Sequence, residues 1–122
     1  MPAKFTNVDA IEPREVMPGT TVQALTGQRL QLVRTTLAPG GVFATHTHSH
    51  EQFIYVLEGA LEFTIGDETQ TLEAGGVFYM APDVAHGARV VSDRPVVLIE
   101  VFHPVREDYS DDTTAVSHEV PR

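Results

Sequence analysis

Three histidines fall within five residues of the stretch ATHTHSHEQFIYVLEG, which runs from 44 to 59. They are His46, His48 and His50, and Gln52 follows two positions later. Neutral imidazole is a good ligand for first-row transition metals. In an extended strand the side chains at i and i+2 share a face. His46 and His48 therefore present two imidazoles side by side, and His50 and Gln52 keep that parity in a regular strand. Burying such a pair beside an apolar run is costly unless the rings are hydrogen-bonded or hold a cation. A further candidate is His86. The segment VFYMAPDVAHG carries an apolar strand into a turn at Pro82, and His86 opens the next strand. In an antiparallel barrel it could return to the mouth that holds His46 and His48.

The stretch PVVLIEVFHPVRED supplies another chemistry. Residues 96–102 are apolar on both strand parities except for Glu100. A carboxylate inside a buried strand is seldom left unpaired. Leu98, Glu100 and Phe102 share a face. Two readings follow. If that face lines a pocket, Glu100 enters it with a raised pKa, as a general acid or base requires. Otherwise Glu100 forms an ion pair with Arg106 that closes the barrel.

These side chains need a scaffold of short strands. The spacing predicts strands over 30–37, 42–47, 52–57, 60–65, 70–72, 77–80, 87–91 and 96–102. Turn signals separate them: PGG at 39–41, EG at 58–59, GD at 66–67, AGG at 74–76 and SDRP at 92–95. Leu61, Phe63 and Ile65 alternate with polar residues before Gly66-Asp67, the pattern of a hairpin. Such spacing indicates an all-β sandwich or barrel. One domain is expected: an arm with the first strands over 1–29, a barrel over 30–105, and an acidic tail over 106–122. The tail is expected to be partly flexible and to add little to the core.

Composition narrows the partners. The chain has 122 residues, with 17 acids against 8 bases and a net charge of −9. So acidic a surface repels nucleic acid and anionic membranes. No apolar run reaches the roughly 18 residues of a membrane span. The start carries no apolar segment of the signal-peptide kind. There is no cysteine, hence no disulfide and no thiolate chemistry. A cytoplasmic protein is expected.

The two histidine segments resemble the paired motifs of the cupin family. The first motif is glycine, five residues, His-x-His, three residues, an acidic ligand, six residues, glycine. It maps onto Gly40, His46, His48, Gln52 and Gly59 with every spacing kept. The glycine spacing favours His46 and His48 over the overlapping pair His48 and His50. The second motif maps onto Gly75, Pro82 and His86. Asp83 stands where a turn glycine is usual, and Ala81 where proline is common. The resemblance implies a cupin barrel of the jelly-roll kind, with a metal held by His46, His48, Gln52 and His86.

Gln52 departs from the usual glutamate. Three neutral imidazoles and an amide leave the charge of a divalent ion uncompensated, which favours anionic ligands such as carboxylate or enolate. Zinc, nickel, manganese and iron all suit the set. The other reading of Gln52 is a lost ligand that only hydrogen-bonds water. His50 is expected near the rim, beside an acid or a backbone carbonyl. Glu51 has the opposite strand parity, pointing outward or orienting an imidazole.

HSHEQ, YVLEG, AHG and EVFHPVRED together resemble the small KdgF-type cupins of pectin and alginate breakdown. That group converts 4,5-unsaturated monouronates into linear ketonised sugars. The resemblance implies a catalytic set of Glu100, Phe102 and Arg106, with Glu100 in place of the group's aspartate. A small anionic substrate is expected, its carboxylate paired with Arg106. Metal-dependent dioxygenase, polyketide cyclase and non-catalytic small-molecule binding are the rival functions. A homodimer is also expected, through an edge strand or sheet face, with the segment before Gly27 a candidate to cross to the partner.

Overall fold

A computed structural model describes residues 4–110 of the chain. Its strands are β1 Arg14–Met17, β2 Thr20–Thr26, β3 Gln31–Leu37, β4 Val42–His46 and β5 Glu51–Glu58. They continue with β6 Leu61–Ile65, β7 Glu68–Leu72, β8 Val77–Met80, β9 His86–Val90 and β10 Val96–His103. Short 3-10 turns cover Val8–Ala10 and Glu107–Tyr109. Six strands form one sheet, in the order β1-β2-β3-β10-β5-β8, and four form the other, in the order β4-β9-β6-β7. Every strand pair is antiparallel. The fold is a jelly roll. No helix among the described residues is long and apolar enough to cross a membrane.

The alternation of the sequence sets the inward faces. In β5, Gln52, Ile54 and Val56 are buried while Phe53, Tyr55 and Leu57 are exposed. In β10, Val96, Leu98, Glu100 and Phe102 are buried. Leu37, Ile54, Val56, Leu61, Phe63 and Leu98 contribute to one apolar cluster between the sheets. A separate cluster joins Val22, Ala24, Val33, Phe102 and Tyr109. The polar site lies between them. The hairpin forms as the sequence predicts: β6 and β7 pair from Leu61↔Leu72 to Ile65↔Glu68, around Gly66-Asp67.

Within the chain, the segment before Gly27 forms β1 and β2, with β1 paired to β2 and β2 to β3. One expectation needs correction: the start of the acidic tail belongs to the core. Tyr109 is buried, and Arg14 donates from Nη1 to the Ser110 carbonyl at 2.9 Å. Gln31, fully buried on β3, donates to the Arg106 carbonyl and accepts from the Arg106 N–H, each at 3.1 Å. Apolar content alone underrates a segment whose backbone groups are satisfied by buried side chains. The remainder of the tail, 111–122, lies outside the described residues.

Candidate metal centre

Strand pairing brings the histidines together. His46 on β4 stands directly opposite His86 on β9. The His46 and His86 rings are 4.3 Å apart between centroids, His48 and His86 4.8 Å, and His46 and His48 5.6 Å. One potential ligand atom from each lies within 4.8 Å of the others. The loop carrying His48 is tied to the second motif, because the Asp83 N–H donates to the His48 carbonyl at 2.9 Å. Asp83 has φ +65°, the left-handed region that usually calls for glycine and that aspartate tolerates better than most residues.

The donor chemistry suits a cation. His46 Nδ1 meets the Ala44 carbonyl at 2.8 Å, and His86 Nδ1 meets the Val84 carbonyl at 2.8 Å. A carbonyl only accepts, so each Nδ1 carries the hydrogen, and in the neutral ring Nε2 keeps its lone pair for a ligand role. Both His48 nitrogens and Gln52 Oε1 are buried without a hydrogen-bond partner. Such orphaned polar atoms are costly unless something fills the space between them. Burial, aided by the charges of His86, Arg106, His50 and His46, lowers the His48 pKa from 6.5 to about 4. Burial also lowers that of His86, against the opposing Val84 hydrogen bond. The neutral rings that result are the form that binds metal. The residues fit a first-row divalent ion.

Glu100 is buried and lines the same inner cavity as His46, His48, Gln52 and His86. Its Oε1 accepts from Gln52 Nε2 at 2.6 Å, and its Oε2 accepts from the Thr35 hydroxyl at 2.5 Å. Burial raises its pKa, opposed by Thr35, the Arg106 charge and Gln52. The hydrogen-bonding partner of Arg106 is Asp108, not Glu100. The reading of Glu100 and Arg106 as a closing ion pair is therefore set aside.

The inner cavity has a volume of about 30 Å³, room for an ion and little more. Beside it lies a chamber of about 290 Å³, lined by Val16, Met17, Thr45 and Asp108 among others. Phe43, His46, Arg106 and Tyr109 line both spaces. Phe102 lines neither of these spaces. It is fully buried, edge-on to His48 at 6.0 Å and His50 at 6.1 Å, with Arg106 over its ring at 5.3 Å. It supports the site from behind. His50 stands 5.1 Å from the His48 ring but outside the three-histidine group, and its Nδ1 is buried without a partner. Glu51 points outward, accepting from the Tyr79 hydroxyl at 2.6 Å.

Sequence reasoning missed Thr35 and Tyr109. Thr35 sits on the inward parity of β3, but a lone threonine in a strand gives no signal of its partner. Tyr109 carries the Arg106 guanidinium 4.0 Å above its ring. An aromatic just after an Arg-Glu-Asp run is the available clue.

A jelly roll that gathers three imidazoles where they could hold a metal ion defines a class of β-barrel. The chain belongs to the cupin family: the cupin domain model matches residues 33–102. It is similar to an RmlC-like cupin from Shewanella frigidimarina, with TM-score 0.81, 29% identity and coverage of 88% of this chain and 96% of that one. It is equally similar to KdgF from Halomonas sp., with TM-score 0.81, 27% identity and coverage of 87% and 97%. The H2HPP isomerase of Bacillus subtilis is 39% identical over 57 residues, 46% of this chain. The match spans 24% of that curated relative, so it concerns about a quarter of its length.

Proposed function

We propose that this cupin is a metal-dependent enzyme that opens and ketonises a small sugar acid of the 4,5-unsaturated uronate kind. One observation carries the reading. A neutral donor set, a buried carboxylate and an arginine line one inner cavity, and His46 and Arg106 also line a larger chamber beside it. The likeness to KdgF from Halomonas sp. supports the choice of substrate.

His46, His48, Gln52 and His86 are the proposed ligands of a divalent first-row metal. When bound, it supplies Lewis acidity to the substrate's oxygens. Arg106 pairs with the substrate carboxylate in the chamber. Glu100 takes a proton from oxygen and returns one to carbon. The C1 hydroxyl proton is passed to the ring oxygen as the C1–O5 bond breaks, leaving an aldehyde at C1 and an enol at C5. The enol oxygen then loses its proton, C4 gains one, and C5 becomes a ketone. The sum is an isomerisation that needs no oxidant. The Arg106 guanidinium lies over the Tyr109 ring at 4.0 Å and the Phe102 ring at 5.3 Å.

The test is the absorbance of the conjugated alkene in a 4,5-unsaturated monouronate. Metal-loaded protein should remove it much faster than buffer does, with no oxygen uptake. Decay at the buffer rate contradicts the proposal, and oxygen uptake favours the dioxygenase reading. We also propose a homodimer through the outer face of β5 and β8, where Phe53, Tyr55, Val77 and Tyr79 are exposed on neighbouring strands. A strictly monomeric mass at micromolar concentration contradicts it.

A further inference from the structure

The amide of Gln52 has two unlike ends. Only its oxygen can ligate a cation, and its nitrogen carries two hydrogens. The backbone of β5 does not select between the two orientations. A side chain on the neighbouring strand does. Gln52 Nε2 donates to Glu100 Oε1 at 2.6 Å, while Gln52 Oε1 is buried with no partner. The register explains the contact. Phe102 lies opposite Gln52 and Ile54 opposite Glu100, so Gln52 and Glu100 are diagonal neighbours on the inward face. Thr35 fastens the other oxygen of Glu100 from β3. Glu100 is thus held on both sides, and one of its oxygens is aimed at the amide nitrogen.

We infer that Glu100 is a positioning residue for the metal site, fixing the Gln52 amide so that its oxygen is left for the cavity shared with the imidazoles. This role rests on the reading of Gln52 as a ligand and is separate from any proton transfer by Glu100. It also gives a physical reason for glutamine at position 52. A glutamate there would set two carboxylates in hydrogen-bond contact, and like charges so close do not both ionise. An amide ligates with one end and satisfies Glu100 with the other.

The test is zinc affinity, measured by competition with a chromogenic chelator on metal-free protein, with the melting temperature recorded beside it. In Glu100→Gln, the new amide can still present an oxygen to Gln52. In Glu100→Leu it cannot. Zinc affinity should stay within about threefold for Glu100→Gln and fall about 10- to 100-fold for Glu100→Leu, the usual loss when a ligand's orienting partner is removed. A carboxylate has two equivalent oxygens and needs no orientation. Gln52→Glu should therefore raise zinc affinity more in the Glu100→Leu background than in the wild type. Should Glu100→Leu fail to fold, adding Thr35→Val removes the stranded hydroxyl and the same comparison is made. Equal affinity in wild type and Glu100→Leu, or an equal gain from Gln52→Glu in both backgrounds, overturns the inference alone. A wild-type chain that binds no zinc overturns it together with the metal reading.

Discussion

Asp108 grips the Arg106 guanidinium at two points, Nε at 3.1 Å and Nη2 at 2.7 Å. Burial pushes the Asp108 carboxyl up, but the Arg106 hydrogen bond and charge outweigh it and hold the carboxyl below its usual range. The cation proposed to meet substrate is therefore already partly neutralised. Asp108→Asn keeps one acceptor for Arg106 and removes the negative charge. KM for the anionic substrate should fall by about three- to tenfold, the equivalent of roughly 1 kcal/mol for a half-exposed charge pair. Steady-state kinetics check this. A raised KM would mean that Asp108 is needed to aim Arg106.

Glu100→Gln separates proton transfer from support. The amide has the same shape, and Thr35 and Gln52 can both still bond it. Turnover should fall by about 10² to 10⁴, the usual share of a positioned acid or base. The melting temperature and zinc content should change little. Full activity in this variant would remove Glu100 from the chemistry.

The metal-free protein should lose stability as pH falls. The folded-state pKa of His48 is about 4 against an ordinary 6.5, chiefly through burial. Below 6.5 the unfolded chain therefore binds a proton that the folded chain resists, and folding is penalised progressively until pH reaches about 4. Carboxylates titrate in part of the same window, so the readout is the difference between wild type and His48→Gln. The wild-type melting temperature should decline more steeply between these pH values. Parallel curves would show that His48 contributes nothing.

Gly59 ends the first motif for a structural reason. Its φ is +82°, and a Cβ there would meet the Pro95 carbonyl oxygen at 2.7 Å and Val96 Cα at 2.9 Å. Gly59→Ala should cost about 2–4 kcal/mol through left-handed strain and the clash with backbone. Denaturant unfolding measures the loss. Zinc affinity of the folded fraction should be unchanged, because the turn lies outside the metal centre.

The strands over 77–80 and 96–102, and the parity of Gln52, Leu98, Glu100 and Phe102, were legible because alternation and turn residues mark them. The convergence of His46, His48 and His86 was legible through the motif spacing. The contact between Gln52 and Glu100 was not, since it depends on the register of two strands far apart in the sequence. β1 and β2 were not individually placed. In β2 the inward positions include Thr20 and Thr26, both buried, so hydrophobic alternation is masked by polar residues. Asp83 shows a further limit. Its departure from the motif glycine left the turn in place, because the carbonyl of His48 accepts its N–H at a positive φ.

X-ray absorption of the zinc-reconstituted protein tests the central claim most directly. A site built from His46, His48, Gln52 and His86 should give one zinc per chain. Three imidazole nitrogens and at least one oxygen should lie at roughly 2.0–2.2 Å. His86→Ala should remove one imidazole from that shell. An all-oxygen shell, or a spectrum that His86→Ala leaves unchanged, would contradict the metal centre described above.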